Sequence, residues 1–416
     1  MSRRFLSPFL SPSSSSSSST ALSATARIAP VYAVYFFTGI FTTIFGPSIK
    51  LLIADYRIDT IRAGLFISFV SLGRMIAALL SGVAADSVGR KPVLLTGVVL
   101  IASGLTGIGL TASYPVALGC CLLCGMGHGM TNTSASGLMA DYYPDRLGRV
   151  MNLLNMVFGL GCLAGPLFSG FVLGQSTQWR VLFLIQGTMG TALVLWIAAL
   201  KYRTAAAAAK NESGKTPWSA VLRTGGLTLL LLGGVMFIYT GSGHTINTWI
   251  SKYLQEIVDL PIWLAAWVFA VYNLGLTAGR LVCGLIVEKI GYERVILFSA
   301  LGALLSVTMA LSVRNGTAAA LALGLTGFFF GSLFPTATAI AGKMFPRNVA
   351  TVSGILVVAA ALGSMVLPAA AGAMAQWLDM EKALWFLSPL MGVLVLIALV
   401  LNRRRKRVNT ADQNQC

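Results

Sequence analysis

The sequence predicts an all-α polytopic membrane protein, with twelve transmembrane helices in two six-helix pseudo-repeat bundles. Three observations carry this. The 416 residues are 56% hydrophobic and only 10% charged, with a mean hydropathy of +0.79, whereas a soluble domain carries about 25% charged residues. Twelve apolar stretches each come near the ~20 residues that cross a bilayer. Finally, sliding the chain along itself by 202 residues superposes Gly73 on Gly275, Gly125 on Gly327, Gly129 on Gly331, Pro144 on Pro346, Gly161 on Gly363, Pro166 on Pro368 and Gly170 on Gly372. Gly and Pro sit where backbones approach or bend, so shared positions imply shared backbone geometry. The chain is one membrane unit written twice in the same orientation, and a site for a passenger forms where the halves face each other.

Residues 1–29 are Ser-rich, with a run from Ser13 to Ser19, the bases Arg3, Arg4 and Arg27, and no acid before Asp55. They read as a disordered cytoplasmic tail, and an organellar transit peptide is the alternative. The first half, 30–200, holds spans near 30–52, 63–85, 92–112, 115–140, 149–173 and 179–200. Residues 201–223, with an Ala run, Lys210, Glu212, Gly214 and Pro217, read as a cytoplasmic linker. The second half, 224–401, holds spans near 224–251, 262–286, 293–313, 317–342, 350–375 and 383–401, and 402–416 is a basic tail. Closely spaced glycines, such as Gly159, Gly161 and Gly165, let membrane helices touch backbone to backbone.

Charge distribution sets the orientation. With a cytoplasmic N-terminus, 21 of the 30 Lys and Arg residues fall on the inner side and seven outside, which places both termini in the cytoplasm. The net charge of +17 therefore reflects topology and the Arg403–Arg407 anchor rather than nucleic-acid binding. Five of the six cysteines lie in apolar segments. The Cys120, Cys121 and Cys124 group reads as helix packing rather than a metal site, and no cofactor or metal is expected.

Between the second and third spans stands Gly82-Val-Ala-Ala-Asp86-Ser-Val-Gly89-Arg90-Lys91, repeated as Gly284-Leu-Ile-Val-Glu288-Lys-Ile-Gly291-Tyr-Glu293-Arg294. This loop, its duplication, the twelve spans and the central linker resemble the major facilitator superfamily over nearly all of the chain after residue 30. The resemblance implies the major facilitator fold, two bundles rocking around a central cavity lined by spans one, four, seven and ten. It also implies a cytoplasmic latch in which Asp86 pairs with a base, Arg146 or Arg149 being available. Gly165-Pro166 resembles a motif associated with antiporters. The stretches Met151–Leu167, Gly331–Pro335 and Tyr239-Thr240-Gly241 with Trp249 resemble the fucose-permease-like branch. Gly243 and His244 depart from that branch where it has an acid, so sugar specificity and carboxylate-coupled proton symport do not carry over.

No Asp or Glu lies inside the twelve spans; Asp55, Asp141, Glu256 and Asp259 sit at span ends. The ionisable residues at depth are Arg74, His128, His244 and Arg280. A charge at the centre of a membrane helix costs ~2.5–3.5 kcal/mol on the insertion scale, so such residues point to function. Arg74 reads as facing the cavity and Arg280 as an anchor near the inner surface. Two polar stripes, His128-Thr131-Asn132 on the fourth span and His244-Asn247-Thr248 on the seventh, each follow one helix face. Either histidine could carry a proton, or the stripes could be interhelical glue. Tyr239, Trp249, Asn155 and Asn273 are further candidate solute contacts; Tyr32, Tyr35 and Tyr272 could stack on a ring or sit at interfaces.

An acid-free cavity disfavours cationic drugs and permits neutral polar solutes, sugar-like compounds and organic anions. The expected function is a secondary active transporter moving such a solute by alternating access, with a proton as a candidate coupling ion and an efflux antiporter for a drug or metabolite as the alternative. Neither His has an acid nearby, so no membrane enzyme is expected, and no nucleotide-binding Gly-rich motif supplies ATP as the driving force. A monomer in the plasma (inner) membrane, or in an organellar membrane if the tail is a targeting peptide, completes the expectation.

Overall fold

The computed structural model describes residues 18–143, 147–175, 178–199, 218–345 and 349–413. Its helices are α1 (Ser18–Thr43), α2 (Phe45–Tyr56), α3 (Thr60–Val88), α4 (Arg90–Leu110), α5 (Tyr114–Tyr142), α6 (Leu147–Gln175), α7 (Trp179–Ala199), α8 (Trp218–Glu256), α9 (Ile262–Ile290), α10 (Tyr292–Ser312), α11 (Gly316–Met344), α12 (Val349–Leu384) and α13 (Leu387–Gln413). No strand occurs among the described residues. Among the described residues ten helices are long and apolar enough to cross a membrane, and α1 with α2 makes one bent span. The twelfth, α5, is 29 residues long; its glycines and its run of polar residues from His128 to Ser136 dilute its hydropathy.

Three boundaries differ from the sequence reading. Helix α1 begins at Ser18, so 18–29 is helical rather than part of a disordered tail. Helix α8 begins at Trp218, inside the expected linker, and α13 continues through most of the expected basic tail, to Gln413. Residues 1–17 and 200–217 lie outside the described residues. The first span is also broken rather than continuous, bending by 47° between Thr43 and Phe45. The hydroxyls of Thr42 and Thr43 donate to the Gly39 carbonyl at 2.8 and 3.3 Å. Pro47, one turn on, has no N–H to return to Thr43, so the helical ladder is interrupted where the bend occurs.

The repeat seen in sequence is a repeat of packing. Within the first half α3 and α4 pack on α5, α4 on α7 and α1 on α6; within the second, α9 and α10 pack on α11, α10 on α13 and α8 on α12. The close approaches coincide at the same offset. A Cβ added at Gly73 would strike the Leu122 carbonyl and one at Gly275 the Gly324 carbonyl; Gly125 faces the Val70 carbonyl and Gly327 that of Tyr272. Only glycine permits backbones this near. Gly89 and Gly291 join their helix pairs through single residues at φ 92° and 96°, a region other residues rarely adopt.

The halves meet through α3 against α12, α9 against α6 and α2 against α8. The first two contacts exchange under the repeat, as a pseudo-two-fold axis between bundles requires.

Candidate functional site

We call the end bearing Gly89 and Gly291 the signature face and the other the opposite face. From the opposite face to the midplane the bundles are in close contact. Thr60 Oγ1 donates to Gln376 Oε1 at 3.1 Å, and Ser68 Oγ to the Met365 carbonyl at 2.7 Å. Lys50 Nζ lies 3.9 Å from Glu256. Gly46 lies directly against the Asn247 carbonyl, and Gly64 sits 3.0 Å (from an ideal Cβ) from Ala369 Cα. Towards the signature face, Asn155 is exposed and a Cβ on Gly354 would meet nothing within 4 Å.

The polar cluster lies where this seam reaches the midplane. Arg74 stands midway along α3 and reaches across to the other half. Its Nη2 is 3.3 Å from His244 Nε2 on α8 and donates to Ser364 Oγ on α12 at 3.2 Å. Ser364 Oγ donates to the Ala361 carbonyl at 2.8 Å and is 3.0 Å from Ser71 Oγ on α3. Guanidinium can only donate, so His244 Nε2 is the acceptor and its imidazole is neutral in this contact. Among the described residues no ion pair reaches Arg74. Arg74, His244 and Asn247 are nonetheless only half-buried. Arg74 is thus a cation turned towards the partner bundle midway along its helix, where a charge is costly unless its surroundings have a use for it.

His128 on α5 is within electrostatic reach of Arg74 and His244. Its ring stacks on Phe158 at 6.2 Å and meets Phe41 edge-on at 6.1 Å. Its Nδ1 is buried without a hydrogen-bond partner, an arrangement that normally carries a penalty. Asn132 is exposed and accepts from the Tyr35 hydroxyl through Oδ1 at 2.7 Å. An exposed amide at this depth is tolerated where water reaches it.

Other expected contacts are packed away. Trp249 is fully buried and its Nε1 donates to the Pro368 carbonyl at 2.9 Å, tying α8 to α12. Tyr239 is buried edge-on to Phe330. Thr131, Thr248 and Asn273 are buried and bond to carbonyls of their own helices, those of His128, His244 and Phe269. Trp249 and Tyr239 thus pack between helices in this state, while Thr131, Thr248 and Asn273 satisfy their side chains on their own helices. Asn155 bonds back to the Met151 carbonyl and Asn247 to that of Gly243. The implied cavity spans were one, four, seven and ten, yet the cross-bundle contact comes from spans two, seven and eleven. Ser71 and Ser364 escaped sequence reasoning, since a serine in an apolar run is unremarkable. Their only sequence signal is position, Ser71 three residues before Arg74 and Ser364 beside Gly363 of the repeat.

At the signature face the side chains of Gly82, Asp86 and Arg149, and all of Arg146, lie outside the described residues, so the expected Asp86 latch does too. Arg90 pairs instead with Asp141 at 3.1 Å, joining the start of α4 to the end of α5, and Lys91 Nζ donates to the Ala198 carbonyl at 3.0 Å. In the repeated loop Glu288 and Arg294 are exposed, and Gly284 has open space around it. Cys120 and Cys124 of α5 pack on α4, against Gly107 and Gly104, with Cys124 Sγ 3.7 Å from the Ile101 carbonyl.

Comparison with known proteins agrees with this architecture. The chain is 22% identical over 354 residues to the uncharacterized MFS-type transporter YfkL of Bacillus subtilis (strain 168), covering 83% of this chain and 88% of the relative. It is 23% identical to the cis,cis-muconate transport protein of Acinetobacter baylyi, covering 79% and 82%. The fold matches a bacterial homolog of the human lysosomal transporter Spinster with a TM-score of 0.78 at 16% identity, covering 92% of this chain and 97% of that one. The sequence profile described as Major Facilitator Superfamily matches residues 31–313 and 264–415, and the chain belongs to that superfamily of multi-pass membrane transporters.

Proposed function

We propose that this protein is a secondary transporter of a small organic anion, which it binds at Arg74 and passes across the membrane by alternating access. One observation carries the reading: a half-buried arginine at mid-membrane, spanning the two bundles with no carboxylate beside it. Neutral partners leave its charge uncompensated, and a planar guanidinium binds carboxylate in a two-pronged geometry. A sugar or other neutral solute would leave that charge unanswered. The muconate named for one relative is a dicarboxylate, which supports the same chemistry.

Water-accessible Asn132 and Asn155 would add polar contacts, and Phe41 and Phe158 around His128 an apolar wall. The two histidines are the protonatable side chains available for coupling inside the spans. The basic-residue bias supports a cytoplasmic signature face, with both termini inside and the protein in the plasma membrane. Closing and opening would then alternate between the α2–α8 and α3–α12 seam at the outer face and the signature-face loops within.

The test is uptake into liposomes containing the purified protein, with cis,cis-muconate, sorbate, glucose and a lipophilic amine as labelled solutes. Saturable flux of the acids alone is expected. Saturable flux of glucose or the amine, with none of the acids, would overturn the reading and favour the sugar or drug-efflux alternatives.

A further inference from the structure

The Arg74–His244 contact has a property that neither residue has alone. His244 Nε2 must be unprotonated to accept from Arg74 Nη2 at 3.3 Å. Once protonated, both groups are donors and both are cations, so the contact breaks and the two repel. An anion placed between them reverses the sign. Its oxygens would accept from the guanidinium on one side and from the Nε2–H of an imidazolium on the other.

We propose that a carboxylate and a proton enter this contact together, the carboxylate bridging Arg74 and His244 while His244 Nε2 takes the proton from the aqueous cleft. The inference rests on the anion reading above and adds the coupling site to it. The step balances: the Arg74–His244 hydrogen bond is lost, charge-assisted bonds from the Arg74 fork and from His244 Nε2–H to the carboxylate form, and anion plus proton add no net charge to the site. The loaded carrier therefore crosses its transition without an added charge in low dielectric. The empty carrier holds no proton at His244, because a second cation beside Arg74 is repelled, and so it does not leak protons. By reciprocity, each ligand raises the affinity for the other by the same factor. Ser364, which accepts from Arg74 and is backed by Ser71, keeps the guanidinium aimed into the seam when His244 lets go.

The surroundings of His244 leave these two cations in command. Arg74 faces it from α3, and His128 is within electrostatic reach from α5. From α9 the Tyr272 hydroxyl approaches the neighbouring Gly243, 3.5 Å from an added Cβ, and Arg280, two turns further along α9, is within electrostatic reach of that tyrosine. Tyr239 and the Lys252–Glu256 pair belong to α8 itself. The charged groups of α2 and α12 lie at the opposite face, Lys50 beside Glu256, Lys382 beside Asp379 and Glu381 beside Arg314. Lys343 of α11 lies over the Tyr292 ring near the signature face, and Arg403 and Arg404 of α13 are exposed near that end.

The experiment is titration calorimetry of the full-length protein in detergent with sorbate and with cis,cis-muconate. It runs between pH 5.5 and 8, in buffers of different ionisation heat, for the wild type, His244→Gln and His128→Gln. Gln keeps an acceptor for Arg74 but has no proton to bind. The expected result is that wild type takes up close to one proton per anion and binds up to about tenfold tighter per pH unit of acidification. His244→Gln should bind the anion with no proton uptake and a flat pH profile, whereas His128→Gln, whatever its affinity, should still take up a proton with each anion bound. Unchanged uptake in His244→Gln, or its loss in His128→Gln alone, overturns the proposal and leaves the anion reading standing. Failure of wild type to bind either acid overturns the anion reading, and this inference with it.

Discussion

Replacing Arg74 by Ala separates the role of this residue in binding from any role in folding. Arg74 makes two cross-bundle contacts, to His244 Nε2 and to Ser364 Oγ. Their loss leaves little unsatisfied: Ser364 keeps its bond to the Ala361 carbonyl, and half-buried His244 can turn to water. The fold should thus lose only about 1–3 kcal/mol, the net value of two ordinary hydrogen bonds at ~0.5–1.5 kcal/mol each. Anion binding should lose more. A carboxylate held by two charge-assisted bonds at ~1.5–3 kcal/mol each forfeits about 3–6 kcal/mol, or roughly 10²–10⁴ in affinity. Arg74→Lys keeps the charge but not the fork, and should fall between, at about tenfold to a hundredfold. The assay is sorbate binding by calorimetry alongside thermal unfolding of the same preparations. Wild-type sorbate affinity in an Arg74→Ala protein that unfolds at a near-normal temperature would refute the reasoning outright.

Gly46→Leu should abolish transport while the protein still inserts, because any side chain there meets the Asn247 carbonyl as the α2–α8 seam closes; maleimide added from outside should label a Ser68→Cys reporter in the adjoining α3–α12 seam faster than in the Gly46 background. Arg180→Ala should destabilise the first bundle by about 1–3 kcal/mol, seen as a lower unfolding temperature, since it removes bonds to the Thr111 carbonyl at 2.6 Å and to Asp55 at 2.7 Å and a stack on Trp179 at 4.7 Å. Lys50→Gln should change flux by less than about fivefold, because a half-exposed ion pair at 3.9 Å contributes only ~0–1 kcal/mol.

The architecture was legible because close backbone approach leaves a durable mark in sequence. Gly73, Gly125 and Gly161 and their counterparts Gly275, Gly327 and Gly363 at the 202-residue offset are lodged against carbonyls of neighbouring helices in both halves. Arg74 and His244 were legible for another reason: an ionisable residue in an apolar run stands out by its cost. Their contact was not. Helix periodicity states which residues share a face of one helix, not which faces of two helices meet, and the stripes split once folded. His244 turns to Arg74 while Asn247 and Thr248 bond to their own backbone. Trp249 was ambiguous for a related reason, since an aromatic able to stack on a solute is equally able to bridge two helices, as its bond to the Pro368 carbonyl does here. The bend after Thr43 did have a signal, Gly46-Pro47, which the hydrophobic continuity of the segment concealed.

The repeat also explains why the site is lopsided. At the same offset Arg74 corresponds to Leu276, His244 to Thr42 and Ser364 to Cys162. The structure keeps this second cluster in the matching place, with Thr42 Oγ1 3.6 Å from Cys162 Sγ and the α6–α9 seam taking the part of α3–α12. One seam thus brings Arg74 directly onto polar groups of the partner bundle, whereas its twin has Leu276 at that position and its own cation, Arg280, one turn further along α9 within electrostatic reach of Cys162. The close approaches of the duplicated scaffold are kept in both halves, because every helix contact depends on them. The seam side chains are free to diverge, because each meets its counterpart's surroundings only through the pseudo-symmetry axis. A solute matched to such a cleft has one charged end and one apolar end, as a monocarboxylate with a hydrocarbon body does. Placing a second arginine at the twin position, Leu276→Arg, should shift preference from sorbate towards the dianion cis,cis-muconate. A bundle seam that bound solute symmetrically would respond equally to both acids.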